Sequence, residues 1–163
     1  MPRRWLGDTL SALEHSRPPL PRAARLDDLD AVQDLEKSVF AHLAYPYFVL
    51  RQLFDLHGPQ WLVTEHDGQL GGYLLTALSC DGTAWLLGLA VAEDCRGLGY
   101  GRTLLETTLE HCRAEGADEV RVTVRSGNLA AQHLYKKVGF IWTKHETKYL
   151  GPNEPRDILV CRL

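Results

Sequence analysis

Three glycines alternate with other residues in Arg96-Gly97-Leu98-Gly99-Tyr100-Gly101, and Arg102 follows directly. Glycine lets a backbone turn tightly and come close to a ligand. A helix that begins at such a turn presents free N–H groups and a partial positive charge. That combination suits a pyrophosphate, and Arg96 and Arg102 add charge beside it. Two better-known glycine patterns do not match. A dinucleotide fold wants GxGxxG after its first strand, with an acid about 20 residues later; here the turn follows several strands and lacks that spacing. A nucleotide P-loop needs GxxxxGK[ST], and the chain has no such lysine. A purely structural glycine turn is the competing reading.

The elements that must position this turn follow from two periodicities. Pro21–Leu26 is a short strand candidate, and Asp27 or Asp28 caps a helix carrying Leu29, Val32, Leu35, Val39 and Phe40 on one stripe. Pro46 sits in the first turn of a second helix with Phe48, Val49, Leu53 and Leu56, ending at Gly58-Pro59. Trp61–Glu65 and Leu70–Leu78 read as strands around the hairpin signal Asp67-Gly68, and Asp81-Gly82 leads into Ala84–Val91. That last run is almost wholly apolar, as in a strand buried on both faces. A helix over about 102–115 shows Leu104, Leu105, Thr108, Leu109 and Cys112 inward and ends at Gly116. Glu119–Val124 is a strand, Leu129–Val138 a helix, and Phe140–Tyr149 and Asp157–Leu163 are closing strands.

The chain has 163 residues, enough for one domain with a sizeable core. Residues 1–20 read as an N-terminal arm and residues 21–163 as the domain. The arm holds Arg17-Pro18-Pro19-Leu20-Pro21 and a candidate amphipathic turn at Trp5–Leu13; a partly ordered tail and a dimer or lid contact are its two readings. Arg3-Arg4 is not followed by the apolar stretch of an export signal, and no apolar run reaches the roughly 18 residues of a membrane helix. The expectation is a cytoplasmic protein without a membrane partner. A formal net charge of −3 argues against a nucleic-acid partner, which favours a basic surplus. Cys80, Cys95, Cys112 and Cys161 are scattered without CxxC or zinc spacing, so reduced thiols are expected, not a metal site or disulfides.

The turn at 96–101 fits the R/Q-x-x-G-x-G/A signature of the GNAT (GCN5-related) N-acetyltransferases, and Leu89-Ala90-Val91 before it looks like that family's fourth-strand ending. The run from Asn128 to Phe140 resembles the family's N-x-x-A-x-x-x-Y-x-x-x-G-F segment. The resemblance covers roughly residues 22–163. Lys148-Tyr149 and Asp157-Ile158-Leu159-Val160 look most like the branch that acetylates protein N-terminal amines, such as the ribosomal-protein alanine acetyltransferases.

The resemblance implies an α/β fold with a mixed sheet in the order β-α-α-β-β-β-α-β-α-β-β, whose fourth and fifth strands are parallel and splay apart to admit acetyl-CoA. It implies direct acetyl transfer from acetyl-CoA to a primary amine, a peptide or protein N-terminus being one acceptor. A small-molecule amine such as an antibiotic or polyamine, or a non-catalytic acyl-CoA-binding role, are the alternatives. No metal is implied, and a homodimer stays open. Leu89, Ala90 and Val91 would offer backbone groups to the pantetheine arm. Arg96, Gly97, Leu98, Gly99, Tyr100, Gly101 and Arg102 would hold the pyrophosphate, and Asn128 would hydrogen-bond the cofactor. Tyr135 would contact the cofactor and act as general acid, since a phenol near the sulfur can protonate the departing thiolate. A core tyrosine on a stripe with Ala131 and Val138 is the alternative reading for Tyr135.

The amine must also lose a proton. Many relatives place a base on the fourth or fifth strand, but the matching positions are Trp85, Leu87 and Thr123, none of which takes a proton at neutral pH. An ordered water, a base from the first two helices, or an amine that arrives neutral would serve instead. Glu36, His42 and Glu65 are the candidates, each with a structural or solvated reading beside it. Tyr45, Tyr47 and Tyr149, with Phe48 nearby, would wall the acceptor site, and part of that cluster could be core packing.

Overall fold

A computed structural model describes residues 18–163 of the chain. The sequence readings at Arg3-Arg4 and Trp5–Leu13 lie outside the described residues. The elements run β1 (Arg22–Ala23), α1 (Leu29–Phe40), α2 (Tyr47–His57), β2 (Leu62–His66), β3 (Gln69–Leu78), β4 (Thr83–Val91), α3 (Tyr100–Ala114), β5 (Glu119–Val124), α4 (Leu129–Lys137), β6 (Ile141–Glu146) and β7 (Arg156–Arg162). This is the mixed α/β order expected from the sequence.

Among the described residues one seven-stranded sheet runs β1-β2-β3-β4-β5-β7-β6. Only β4 and β5 are parallel; the other pairs are antiparallel. The β2–β3 hairpin closes at Asp67 (φ 49°) and Gly68 (φ 76°), two left-handed residues that match the twist of the flanking strands. Alternation along the strands then fills two cores. Leu62, Leu74, Leu86, Val120 and Val122 pack with Leu104, Leu105 and Leu109 of α3. Val63, Tyr73 and Leu75 pack with Leu29, Val32 and Leu50 of the first two helices.

Two details of the helical segment differ from the sequence reading. Asp28 stands at the N-cap of α1 without capping it. Its carboxylate accepts both guanidinium N–H groups of Arg22 at 2.8 Å and the Arg25 amide at 2.6 Å; a bidentate charged partner outcompetes a neutral amide. In α2 the inward face carries Leu50, Leu53 and Phe54, with Phe54 edge-on to Trp61 at 5.7 Å, whereas Phe48 and Leu56 are exposed. The stripe is shifted because Trp61 and β3 offer the larger apolar surface. β6 also ends at Glu146, three residues short of the predicted end, where its pairing with Arg156 stops.

The bend that matters most is in β4. Leu75 pairs with Gly88 and Thr76 with Leu86, so Leu87 is an extra, unpaired residue. Such a bulge bends its strand. The parallel ladder between β4 and β5 ends at the same level, with Leu86 opposite Val122.

Candidate active site

Beyond Leu86 and Val122 the two strands part around a cavity of about 400 Å³. Leu87, Gly88 and Leu89 form one side; Thr123, Val124 and Arg125 form the other. Asn128, Ala131 and Tyr135 approach from α4, Glu36, Phe40, His42 and Tyr45 from the α1–α2 segment, and Leu150 and Arg156 from the end of the chain. Leu87 to Leu89 are only half-buried, so this stretch is not the doubly buried strand its composition predicts. Ala90 packs in the core beside Tyr73, and neither it nor Val91 lines the cavity.

The glycine turn lies just past β4. Gly97 (φ 73°) and Gly99 (φ 91°) are left-handed, and Gly99 is the N-cap of α3 with no side chain to occupy the helix's free N–H groups. A Cβ on Gly101 would stand 3.3 Å from the Leu134 side chain and 3.5 Å from that of Val91, so this glycine lets α3 pack closely. The Arg96 guanidinium donates to the Val91 carbonyl at 3.2 Å, and Arg102 pairs with Glu106 at 2.7 Å. Leu98 is half exposed. Tyr100 is buried, its hydroxyl 2.8 Å from His66 Nδ1, so only its backbone is free for a phosphate.

On α4, Asn128 caps its own helix by accepting the Ala131 amide at 3.1 Å, which leaves its side-chain NH₂ for any further contact. Tyr135 is 7% exposed, and its ring tilts against Phe140 at 5.5 Å. Burial pushes the phenol pKa up, so the hydroxyl keeps its proton at neutral pH.

Glu36 is buried against the bulge. One carboxylate oxygen accepts the Tyr73 hydroxyl, the other the Tyr45 amide at 3.0 Å. Burial raises its pKa, and the two hydrogen bonds oppose that rise only in part. A Cβ on Gly88 would stand 3.2 Å from Glu36 Oε1, so the missing side chain is what admits the carboxylate. The Tyr45 hydroxyl donates to the Leu87 carbonyl at 3.1 Å, satisfying a group that the bulge leaves over.

His42 is exposed and lies 3.3 Å from Glu154, which also accepts from Arg125 (3.0 and 3.1 Å) and Arg156 (3.0 Å). Arg156, then Arg125 and His42, hold the Glu154 carboxyl below its ordinary range. The other sequence candidates lie apart. Glu65 pairs with Arg22 at 2.7 Å, and neither Tyr47 nor Tyr149 lines the cavity, which Leu150 does. Trp85 lies under the Arg121 guanidinium at 5.7 Å. Sequence reasoning passed over Tyr73, Arg125 and Arg156. A tyrosine amid the apolar residues of β3 was the one available signal.

The sequence profile described as the Acetyltransferase (GNAT) family matches residues 26–140. The chain belongs to the GNAT family. This GNAT protein is an acetyl-CoA-dependent N-acetyltransferase. It is 33% identical over 118 residues to a Bacillus subtilis protein assigned as [ribosomal protein bS18]-alanine N-acetyltransferase, covering 72% of this chain and 78% of the relative. It is 27% identical over 154 residues to the N-alpha-acetyltransferase of Sulfurisphaera tokodaii, covering 87% and 92%. Its fold matches Ard1 from Thermoplasma volcanium with a TM-score of 0.81 at 23% identity, over 88% of this chain and 96% of the other. Among the described residues no helix is long and apolar enough to cross a membrane.

The residues present fit the GNAT co-substrate. β4 leaves Leu87 to Leu89 without a β5 partner, and two left-handed glycines open onto an uncapped helix N-terminus. A pantetheine arm can take the place of the missing strand partner, and a pyrophosphate the place of the missing cap.

Proposed function

We propose that this enzyme acetylates the α-amine at the N-terminus of a peptide or protein, with Glu36 as proton acceptor and Tyr135 as proton donor. The observation that carries the reading is the doorway. The α1–α2 segment and the loop before β7 touch beside the cavity through His42, which lines it, and Glu154. An acceptor must therefore enter by its end, amine first. The relatives named for N-alpha and ribosomal-protein alanine acetylation support the same acceptor class.

Acetyl-CoA supplies an activated acetyl carbon and a thiolate leaving group. The chain does the rest. Backbone N–H groups at the start of α3 hold the phosphates, and those of the parted β4 orient the acyl arm and stabilise charge on its carbonyl oxygen. Glu36, fixed by Tyr73 and Tyr45, receives the amine's proton directly or through one water. Tyr135, kept protonated by burial, holds a proton for the sulfur.

Thiol release from acetyl-CoA over a panel of peptides, their N-terminally blocked forms and free small amines tests this. Turnover should require a free peptide α-amine. Equal turnover of blocked lysine-containing peptides, or turnover confined to small amines, would refute it.

A further inference from the structure

Outside the acetyltransfer cavity, metal-binding atoms from three side chains converge where β2 meets the turn ahead of the glycine loop. His66 ends β2, and Asp94 and Cys95 lie in the single 3₁₀ turn Glu93–Cys95 that follows β4. One ring nitrogen, one carboxylate oxygen and one sulfur all lie within 4.8 Å of one another. Cys95 Sγ is 3.6 Å from Asp94 Oδ1.

The setting fixes these groups. Cys95 is 1% exposed, and its amide donates to the Ala92 carbonyl at 3.0 Å. Ala92 in turn donates to Gly71 at 2.9 Å, which ties the turn to the start of β3. His66 Nδ1 has the Tyr100 hydroxyl 2.8 Å away, and the two rings meet edge to face at 5.8 Å. The other ring nitrogen, Nε2, lies 3.5 Å from the exposed Asp67 carboxylate. A Cβ on Gly71 would lie 2.9 Å from the Tyr100 ring, so glycine at 71 is what lets the tyrosine reach the cluster.

We propose that His66, Asp94 and Cys95 bind one divalent cation of the zinc class, with water as the fourth ligand. Sulfur and imidazole select zinc or cobalt over magnesium and calcium, which prefer all-oxygen sets. Metal–ligand bonds of about 2.0–2.3 Å in a tetrahedron place ligand atoms roughly 3.3–3.8 Å apart. Cys95 Sγ and Asp94 Oδ1 already stand at that spacing, and the part-exposed His66 ring closes onto them. On binding, the Cys95 thiol releases its proton to solvent as sulfur bonds the metal; the thiolate and Asp94 carboxylate then balance the cation's two charges. The cation would clamp the turn leading into Arg96 to the end of β2. No spacing motif shows this site, because His66 is remote in sequence from Cys95.

The test is a titration of the reduced, chelator-stripped full chain with Co²⁺, read by absorption. A thiolate-to-cobalt charge-transfer band and four-coordinate visible bands should saturate at one equivalent and vanish on adding zinc. They should be absent in Cys95→Ala and persist in Cys80→Ser, where the altered thiol is exposed. His66→Gln, at a part-exposed position, should weaken binding by no less than the about 10–100-fold that losing an outer partner costs. No charge-transfer band in the parent, or a band that survives in folded Cys95→Ala, overturns the proposal. If Cys95→Ala does not fold, unchanged cobalt affinity in His66→Gln overturns it.

Discussion

The two halves of β4 have much the same composition and opposite fates. From Thr83 to Leu86 the strand is hydrogen-bonded on both sides, to β3 and to β5. From Leu87 onward it keeps β3 and loses β5. Nothing in the polarity of Thr83-Ala84-Trp85-Leu86 against Leu87-Gly88-Leu89-Ala90 announces the change. One extra residue at Leu87 and one missing side chain at Gly88 make it. The first half stabilises the sheet; the second leaves backbone donors and acceptors open for a ligand that completes the ladder. A binding site of this kind is a sheet left unfinished, and its energetic cost is met by whatever pairs there.

The largest effect that would break this contrast lies at the far end of the open half. Gly99→Glu puts a side chain and a like charge in the phosphate path at a left-handed position, and acetyl-CoA binding by calorimetry should fall below detection while the fold persists. Tyr135→Phe comes next. It should bind acetyl-CoA nearly as well and turn over about 10²–10⁴-fold more slowly in single-turnover assays; a rate within about twofold of the parent would remove the tyrosine from catalysis. Gly88→Val attacks the boundary between the halves. The added side chain meets the Glu36 carboxylate and should lower kcat/KM by about 10²-fold, the scale of a misplacement near 1 Å, with cofactor affinity kept.

The subtlest test is the pH profile. Burial raises the Glu36 pKa above its ordinary value, so the proton acceptor is lost as pH falls through that raised value, not through the usual glutamate range. The acid limb of kcat/KM should stay fixed as amines of different basicity are compared, and should disappear in Glu36→Gln. A limb that tracks each amine's own pKa would assign deprotonation to the substrate. Stability has the opposite sign: a carboxyl with a raised folded pKa contributes most when protonated, and that contribution is lost as pH rises through the folded pKa. Glu36→Gln should thus be no less stable than the parent at neutral pH by thermal melting.

Much of the scaffold is legible in the chain because its signals are local. Asp67-Gly68 makes a hairpin for reasons contained in two residues, and the Leu104, Leu105, Thr108, Leu109, Cys112 stripe marks the buried face of α3 without outside help. The proton acceptor is not legible in this way. Glu36, His42 and Glu65 carry comparable chemistry in the sequence. Only the fold distinguishes a carboxylate sealed under β4, an exposed imidazole beside Glu154 and a carboxylate held by Arg22. Phe48 and Leu56 misled for a related reason: helix period sets spacing but not which stripe meets the sheet, and Trp61 decides that.

The carboxylate of Glu154 ties the doorway together unevenly. Its partner Arg156 is buried, whereas His42 and Arg125 are exposed. Mobile ions screen exposed charges over a Debye length of about 8 Å at physiological ionic strength, and buried ones far less. The doorway therefore has a hinge and a latch. Arg156 is the hinge, buried and insensitive to the medium, and His42 is the latch, exposed to solvent. The contact that joins the two walls of the passage, His42 to Glu154, is also its wettest.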